Sequence, residues 1–288
     1  AYVAEASGSA LNLLPHGANS NGAWKAGALP HRGPGGAQAG PGMNGAQMLA
    51  SPRKCYLLWG LEPGFDIDNP SRALAAFAEA ETVIVISPFA LRGLRAVADL
   101  LIPLAPHPES EGSLENLDGE TFGFAAAGRL SGQSRPGWKI LRKAGGELGL
   151  DGFSQVDLAG VQADMLAAMS GADLAPSETE LTSADAADGL FRIGDVPMYR
   201  VDALCRRSGP LQQTVQSESD FVGLNPADAE ALGLSEGDRA RVRQGETQSE
   251  FDVIVSERVP VGGVWLRSAT CETHMLEHAV GPLTVEVA

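Results

Sequence analysis

FVGLNPADAEALGLSEGDRARVRQGETQSEFDVIVSERVPVGGVWLRS, residues 221 to 268, is the stretch that decides the fold. Asn225 and Pro226 spell a helix start, an asparagine to cap and a proline at the first helical position, and Gly233 ends that helix after Leu232. Gly237-Asp238 is a turn. RARVR and EFDVIVS then alternate in side-chain character, as half-buried strands do, and VPVGGVWLRS supplies another turn and strand. With TVEV near the C-terminus, short strands separated by turns around one small helix predict a compact β-barrel.

Upstream the texture is different. KCYLLWGLEP carries an apolar run from Cys55 to Trp59 that stops at Gly60, and TVIVIS is a second apolar run closed by Pro88. Between them Asn69-Pro70 starts a helix with Leu74, Phe77 and Ala78 on one face. Strand, helix, strand in this span is a βαβ unit, so residues 55 to 104 read as α/β with a parallel sheet. ADLLIPLAP adds a further strand and opens into HPESEGSLENLDGETF, which reads as a polar loop at a strand's C-terminal end, where open α/β sheets bind ligands. Residues 8 to 53 are rich in Gly, Pro, Asn and Ala and predict irregular chain with short helices. PGWKILRKAGGELGL predicts a basic-faced helix. Residues 151 to 190 hold no Lys or Arg and read as an acidic connector, with one helix at VQADMLAAM.

Composition excludes several function classes. The chain has 288 residues, room for two domains, and 21 Lys+Arg against 36 Asp+Glu give a formal charge of -15. That surface repels phosphate backbones and anionic lipid, so nucleic acid is not an expected partner. No apolar run reaches the roughly 20 residues that span a bilayer, and AYVAEASGSA lacks the features of a signal peptide, so a soluble chain without direct membrane insertion is expected. The missing initial methionine suggests an excised fragment. Cys55, Cys205 and Cys271 are odd in number and widely spaced, which spells neither a disulfide framework nor a C-x-x-C site and points to a reducing compartment.

LNPADAEALGLSEGDRARVR, VIVSERVPVGGVWL and GPLTVEV resemble the C-terminal molybdopterin-dinucleotide-binding domain of the molybdopterin oxidoreductase superfamily, whose fold is a six-stranded double-psi barrel. LLPHGANSNGAWKAGALPHRGPGG, YLLWGLEP, ADLLIPLAPHPESEGSLENLDG, SRPGWKILRKAGGELGL and VPMYRVDALCRRSGPLQ narrow the match. They are similar to the C-terminal part of the G subunit of bacterial NADH-quinone oxidoreductase, respiratory complex I. The resemblance implies a partial parallel-sheet, Rossmann-like α/β domain over residues 1–150, an acidic connector and docking segment over 151–211, and the barrel over 212–288. It implies a scaffold without catalytic residues, in the peripheral arm that passes electrons from NADH to quinone. Other subunits of that arm would be the partners, at the cytoplasmic side of the bacterial plasma membrane. No cofactor is expected in this part of the subunit. The family's iron-sulfur clusters belong to cysteine-rich segments nearer the N-terminus, and a cluster takes four ligands where this chain has three cysteines. The alternative is a domain that binds molybdopterin dinucleotide for a molybdenum oxidoreductase.

Were a pterin retained, the resemblance places its contacts at Gly60 and Glu62 and at Glu111, Gly112, Ser113 and Asn116. Against it, Leu117-Asp118-Gly119 is followed by Glu120 where the family has a basic residue, and from Glu218 onward 13 acidic residues face five basic ones. His16, His31 and His107 read as exposed or singly bonded histidines, Cys55 as a small core residue, and Arg206 and Arg207 as surface charges available to an acidic neighbour. HMLEH, residues 274 to 278, matches the H-x-x-E-H spelling of a zinc peptidase. It lacks a remote third ligand: of the ten residues after His278 only Glu286 is acidic, and it falls in the last expected strand. Cys271 and Glu272 are the neighbours that would complete an incidental metal site. The stretch is expected to be a polar turn or short helix before GPLTVEV.

Overall fold

The computed structural model describes residues 2–11, 17–37, 39–40, 42–90, 92–169, 189–217 and 221–288. His16 and residues 171–188 of the connector lie outside the described residues. Two compact units interleave along the chain: Ala1–Gln47 with Leu104–Glu180, and Met48–Pro103 with Leu181–Ala288.

The second unit opens with a three-stranded parallel sheet of β1 (Cys55–Trp59), β2 (Thr82–Ser87) and β3 (Leu100–Pro103), in that order. Helices Pro70–Ala78 and Arg92–Val97 make the crossovers, giving two consecutive βαβ units. The Asn69 side chain accepts the Arg72 N–H at 2.9 Å, the N-cap that the Asn-Pro pair predicts. The helix buries Ala73, Ala76 and Phe77, with Leu74 partly buried and Ala78 exposed, so the inner face is turned from the expected one. Two alanines let its backbone come close to the sheet, where Phe77 meets the Tyr56 ring edge-on at 5.0 Å. Among the described residues the opposite face is covered only in part, with Ile86 buried at 2%. There Leu57 is 52% and Leu100 49% exposed, and Cys55 is exposed where the sequence suggested a core residue. β1 is therefore half-buried with alternating exposure, despite its continuous apolar spelling.

The rest of the second unit is a closed six-stranded barrel: β6 (Leu190–Ile193), β7 (Phe221–Leu224), β8 (Arg239–Gln244), β9 (Thr247–Val255), β10 (Gly263–Trp265) and β11 (Val280–Val287), reserving β4 and β5 for the other unit. The order around the barrel is β10-β6-β11-β8-β9-β7, closed by an antiparallel β7–β10 pair. Two parallel pairs, β6 with β10 and β7 with β9, join strands that are not consecutive, and this crossing is the double-psi arrangement. RARVR alternates as predicted. Ala240 and Val242 point into the core, while Arg239 and Arg241 pair across the surface with Asp252 and Glu250. The helix Pro226–Leu232 starts on Asn225, ends at Gly233 in left-handed conformation (φ 68°), and sets Ala229 into the barrel core. The barrel recruits Leu190–Ile193 from the stretch expected to be connector and docking segment, because four residues are too few to display an alternation.

In the first unit, HPESEGSLENLDGETF is not an open loop. It forms an antiparallel hairpin of β4 (Gly112–Glu115) and β5 (Thr121–Phe124). Asn116 Oδ1 accepts the Glu120 N–H at 2.9 Å, and Gly119 takes φ 83° to make the turn. The helices Gly137–Glu147 and Leu158–Met169 follow.

Candidate functional site

At the C-terminal end of β1 the chain turns on Gly60 (φ 63°), a conformation that favours glycine. It then enters Pro63–Asp66 through Glu62, whose N–H donates to Asp66 Oδ2 at 2.7 Å. The Glu62 carboxylate is 1% exposed. Arg206 Nε approaches one of its oxygens at 3.1 Å and Arg207 Nη2 the other at 2.6 Å, while Arg206 also reaches Asp66 at 3.0 Å. The guanidinium of Arg206 lies 4.9 Å from the centre of the Phe65 ring and that of Arg207 4.0 Å from the Phe89 ring. Both arginines come from the single turn Cys205–Arg207, which Asp202 caps by accepting the Leu204 and Cys205 N–H groups at 2.8 and 2.9 Å. Burial pushes the Asp202 carboxyl up, but the bonds from Cys205 and Leu204 and the charge of Arg206 outweigh it and hold the group below the usual range. The same contact holds the Cys205 thiol up. Arg206, its side chain 6% exposed, is thus a buried counter-ion of a strand-end carboxylate, while Arg207, 30% exposed, remains at the surface and pairs with the same carboxylate.

Arg192 on β6 is a second buried guanidinium, 1% exposed, which the sequence reading did not single out. Its Nε and both terminal nitrogens make five bonds, to the carbonyls of Leu266, Arg267 and His278, to Gln244 Oε1 and to Ser268 Oγ, at 2.8 to 3.2 Å. Burial pulls this group down to about 10, with the Asp68 charge opposing, so it stays charged at neutral pH. Asp68 also accepts the Ala279 N–H at 3.1 Å and stands 2.6 Å from His278 Nδ1. A lone Arg between apolar residues was the available signal, and its partners lie far along the chain.

Of the six candidate contacts, Gly60 and Glu62 belong to the second unit and Glu111, Gly112, Ser113 and Asn116 to the first. The latter four sit together on the hairpin and serve its geometry. Glu111 is exposed, and Gly112 lies against the Phe124 ring, where a Cβ would stand 2.9 Å from it. Ser113 accepts Gln162 Nε2 at 3.4 Å, and the Asn116 carbonyl accepts Asn21 Nδ2 at 3.1 Å. The buried carboxylate here is Glu115, missed by the sequence reading. It pairs with Lys25 at 2.6 Å and donates its N–H to Asn19 Oδ1 at 2.8 Å. His107 packs on Phe124 at 4.5 Å between ring centres, and His31 is exposed.

HMLEH is a turn. Leu276 enters the barrel core, His274 Nδ1 meets the Cys271 carbonyl at 2.5 Å, Glu277 accepts the Glu246 N–H at 3.2 Å, and His278 turns to Asp68. The two imidazoles do not share a helix face, and among the described residues no three His, Cys, Asp or Glu side chains are grouped to hold a metal ion. Cys271 and Glu272 therefore do not complete a site of that kind.

Two cavities open at these strand ends. One, of about 190 Å³, is lined by Asp66, Asp68, Arg192, Ser268 and Glu277 among others; the second, of about 320 Å³, by Pro63, Phe65, Leu74, Leu94, Cys271, His274 and Met275. A dinucleotide's pyrophosphate is held by cationic side chains or by backbone N–H groups. The first cavity's one basic side chain has all five N–H groups bonded to protein, and no Lys or Arg lines the second. Glu62 is already held by two arginines. Neither of these two cavities thus offers an uncommitted Lys or Arg to a pyrophosphate.

A family described as "Molydopterin dinucleotide binding domain" matches residues 204–282. The alpha subunit of NADPH-Fe(3+) oxidoreductase from two strains of Geobacter sulfurreducens is 24% identical over 224 residues, 73% of this chain and 26% of that subunit. The chain thus spans about a quarter of the length of these curated relatives. Among solved structures, acetylene hydratase from Pelobacter acetylenicus superposes on 91% of this chain and 46% of its own, with a TM-score of 0.59 and 13% identity, a likeness of fold. The family match over the barrel and the distant curated relatives support a likeness to the molybdopterin oxidoreductase superfamily, and the fold agrees with it.

Proposed function

We propose that this chain is a non-catalytic scaffold region of a G subunit of bacterial NADH-quinone oxidoreductase, in the peripheral arm that passes electrons from NADH to quinone. One observation carries the reading: Glu62, at the strand end where an α/β sheet receives its ligand, is buried and bound by Arg206 and Arg207 of the same chain. The charges that would greet a ligand are spent inside the protein. A relative named for NADPH and Fe(3+) favours an electron-transfer subunit, and the acidic excess suits docking against basic neighbours. Its partners would be other subunits of that arm, on the cytoplasmic side, with the iron-sulfur clusters in another part of the subunit.

The family match favours a second reading, a domain that holds molybdopterin dinucleotide for a molybdenum oxidoreductase. Purification from the native host separates the two. The scaffold reading expects copurification with NADH-oxidising activity and no stoichiometric molybdenum or oxidised-pterin fluorescence. One equivalent of molybdenum with pterin, surviving gel filtration, overturns it.

A further inference from the structure

We propose that the turn Cys271–Met275 forms a binding site for one soft, monovalent metal ion, with Cu(I) as its physiological member. This is independent of the scaffold reading. Three side chains that carry soft or borderline donors, the Cys271 thiol, the His274 imidazole and the Met275 thioether, line the same cavity of about 320 Å³. The other lining residues, Pro63, Phe65, Leu74 and Leu94 with two glycines, are apolar and offer no competing oxygen from a side chain. Thiolate, thioether and imidazole together select Cu(I) over harder ions, and Cu(I) is content with two or three ligands.

Local geometry prepares two of the donors. A carbonyl only accepts, so the 2.5 Å contact between His274 Nδ1 and the Cys271 carbonyl fixes the proton on Nδ1 and leaves the Nε2 lone pair for a ligand. The ring is also stacked on Phe65, 5.9 Å between centres and 23° between planes. Gly64 allows that approach, since a Cβ there would stand 3.1 Å from His274. Arg200 Nη1 lies 3.7 Å from Cys271 Sγ and helps to position it. The turn itself is pinned by the buried Thr270 and Thr273 hydroxyls, 2.8 Å apart. Zinc is disfavoured, because it takes four ligands and the described residues group no three His, Cys, Asp or Glu side chains.

The test is anaerobic titration of the full chain with Cu(I) against a chromogenic Cu(I) chelator. Silver(I) serves as the redox-inert probe and Zn(II) as the hard-side control. Wild type is expected to retain one equivalent of Cu(I) and of Ag(I), and Cys55→Ser to do the same. Cys271→Ser is expected to weaken binding at least tenfold and Met275→Leu several-fold, with denaturation midpoints unchanged, since both side chains are exposed. Loss of binding in Cys55→Ser, equal affinity in wild type and Cys271→Ser, or Zn(II) held as tightly as Cu(I) overturns the proposal. Should a variant prove unstable, X-ray absorption of the wild-type Cu(I) form decides: mixed sulfur and nitrogen coordination supports the site, and sulfur-only coordination overturns it.

Discussion

Arg206 shows how much one side chain decides in this protein. It pairs with Glu62 and Asp66, which stands 140 residues earlier. Removing one partner of a buried pair leaves the other charge without compensation, so Arg206→Ala is expected to lower stability in urea by about 3–5 kcal/mol. The double variant Glu62→Gln/Arg206→Met should recover part of that loss, because the charges that lose their partners, Asp66 and Arg207, are both reached by water. Asp202 gives a pH test. Its folded pKa is depressed, so the group stabilises the fold above its unfolded value of about 3.9 and that contribution fades as pH falls through the lower folded value. Asp202→Asn should therefore flatten the acid limb of the stability profile below about pH 4. The thiols offer a third. Cys55 and Cys271 are exposed, whereas Cys205 is partly covered and held protonated by Asp202, so Cys205 should alkylate slowest in a mass-spectrometric time course at pH 7.5. Glu62 was legible as a strand-end residue, but its role was not, since nothing in the spacing of YLLWGLEP names a partner in YRVDALCRR.

At the scale of elements, local chemistry was the readable part. The helix Pro226–Leu232 begins and ends where Asn225 and Gly233 predict, because caps depend on neighbours in sequence. Gly233→Ala, placed at φ 68°, should destabilise by about 1 kcal/mol in chemical denaturation without changing the fold. Which face of an element is covered was less readable. CYLLW is apolar throughout, yet Leu58 is buried and Leu57 half exposed. Leu58→Ala is expected to cost about 2–5 kcal/mol, while Leu57→Ser should stay near ±0.5 kcal/mol. An equal effect at both positions would show that the open face is covered in solution. The hairpin at Gly112–Phe124 was read as loop because polar, glycine-containing sequence carries no period-2 signal, and its register rests on Asn116 and Gly119.

For the whole molecule, two units interleave, and the barrel takes its first strand from LFRI beyond the acidic connector. A closed barrel satisfies every strand edge only when non-consecutive strands meet, which is a long-range condition. The sequence by itself determined the kinds of elements, their caps and turns, the βαβ order and the acidic surface, because propensity, capping and charge are properties of residues and their near neighbours. Tertiary structure alone decided that Arg206 and Arg207 close on Glu62, that five acceptors gather on Arg192, and that HMLEH sends its histidines to different partners. Each of those depends on segments distant in the chain meeting after the cores have packed, and no local pattern encodes the meeting.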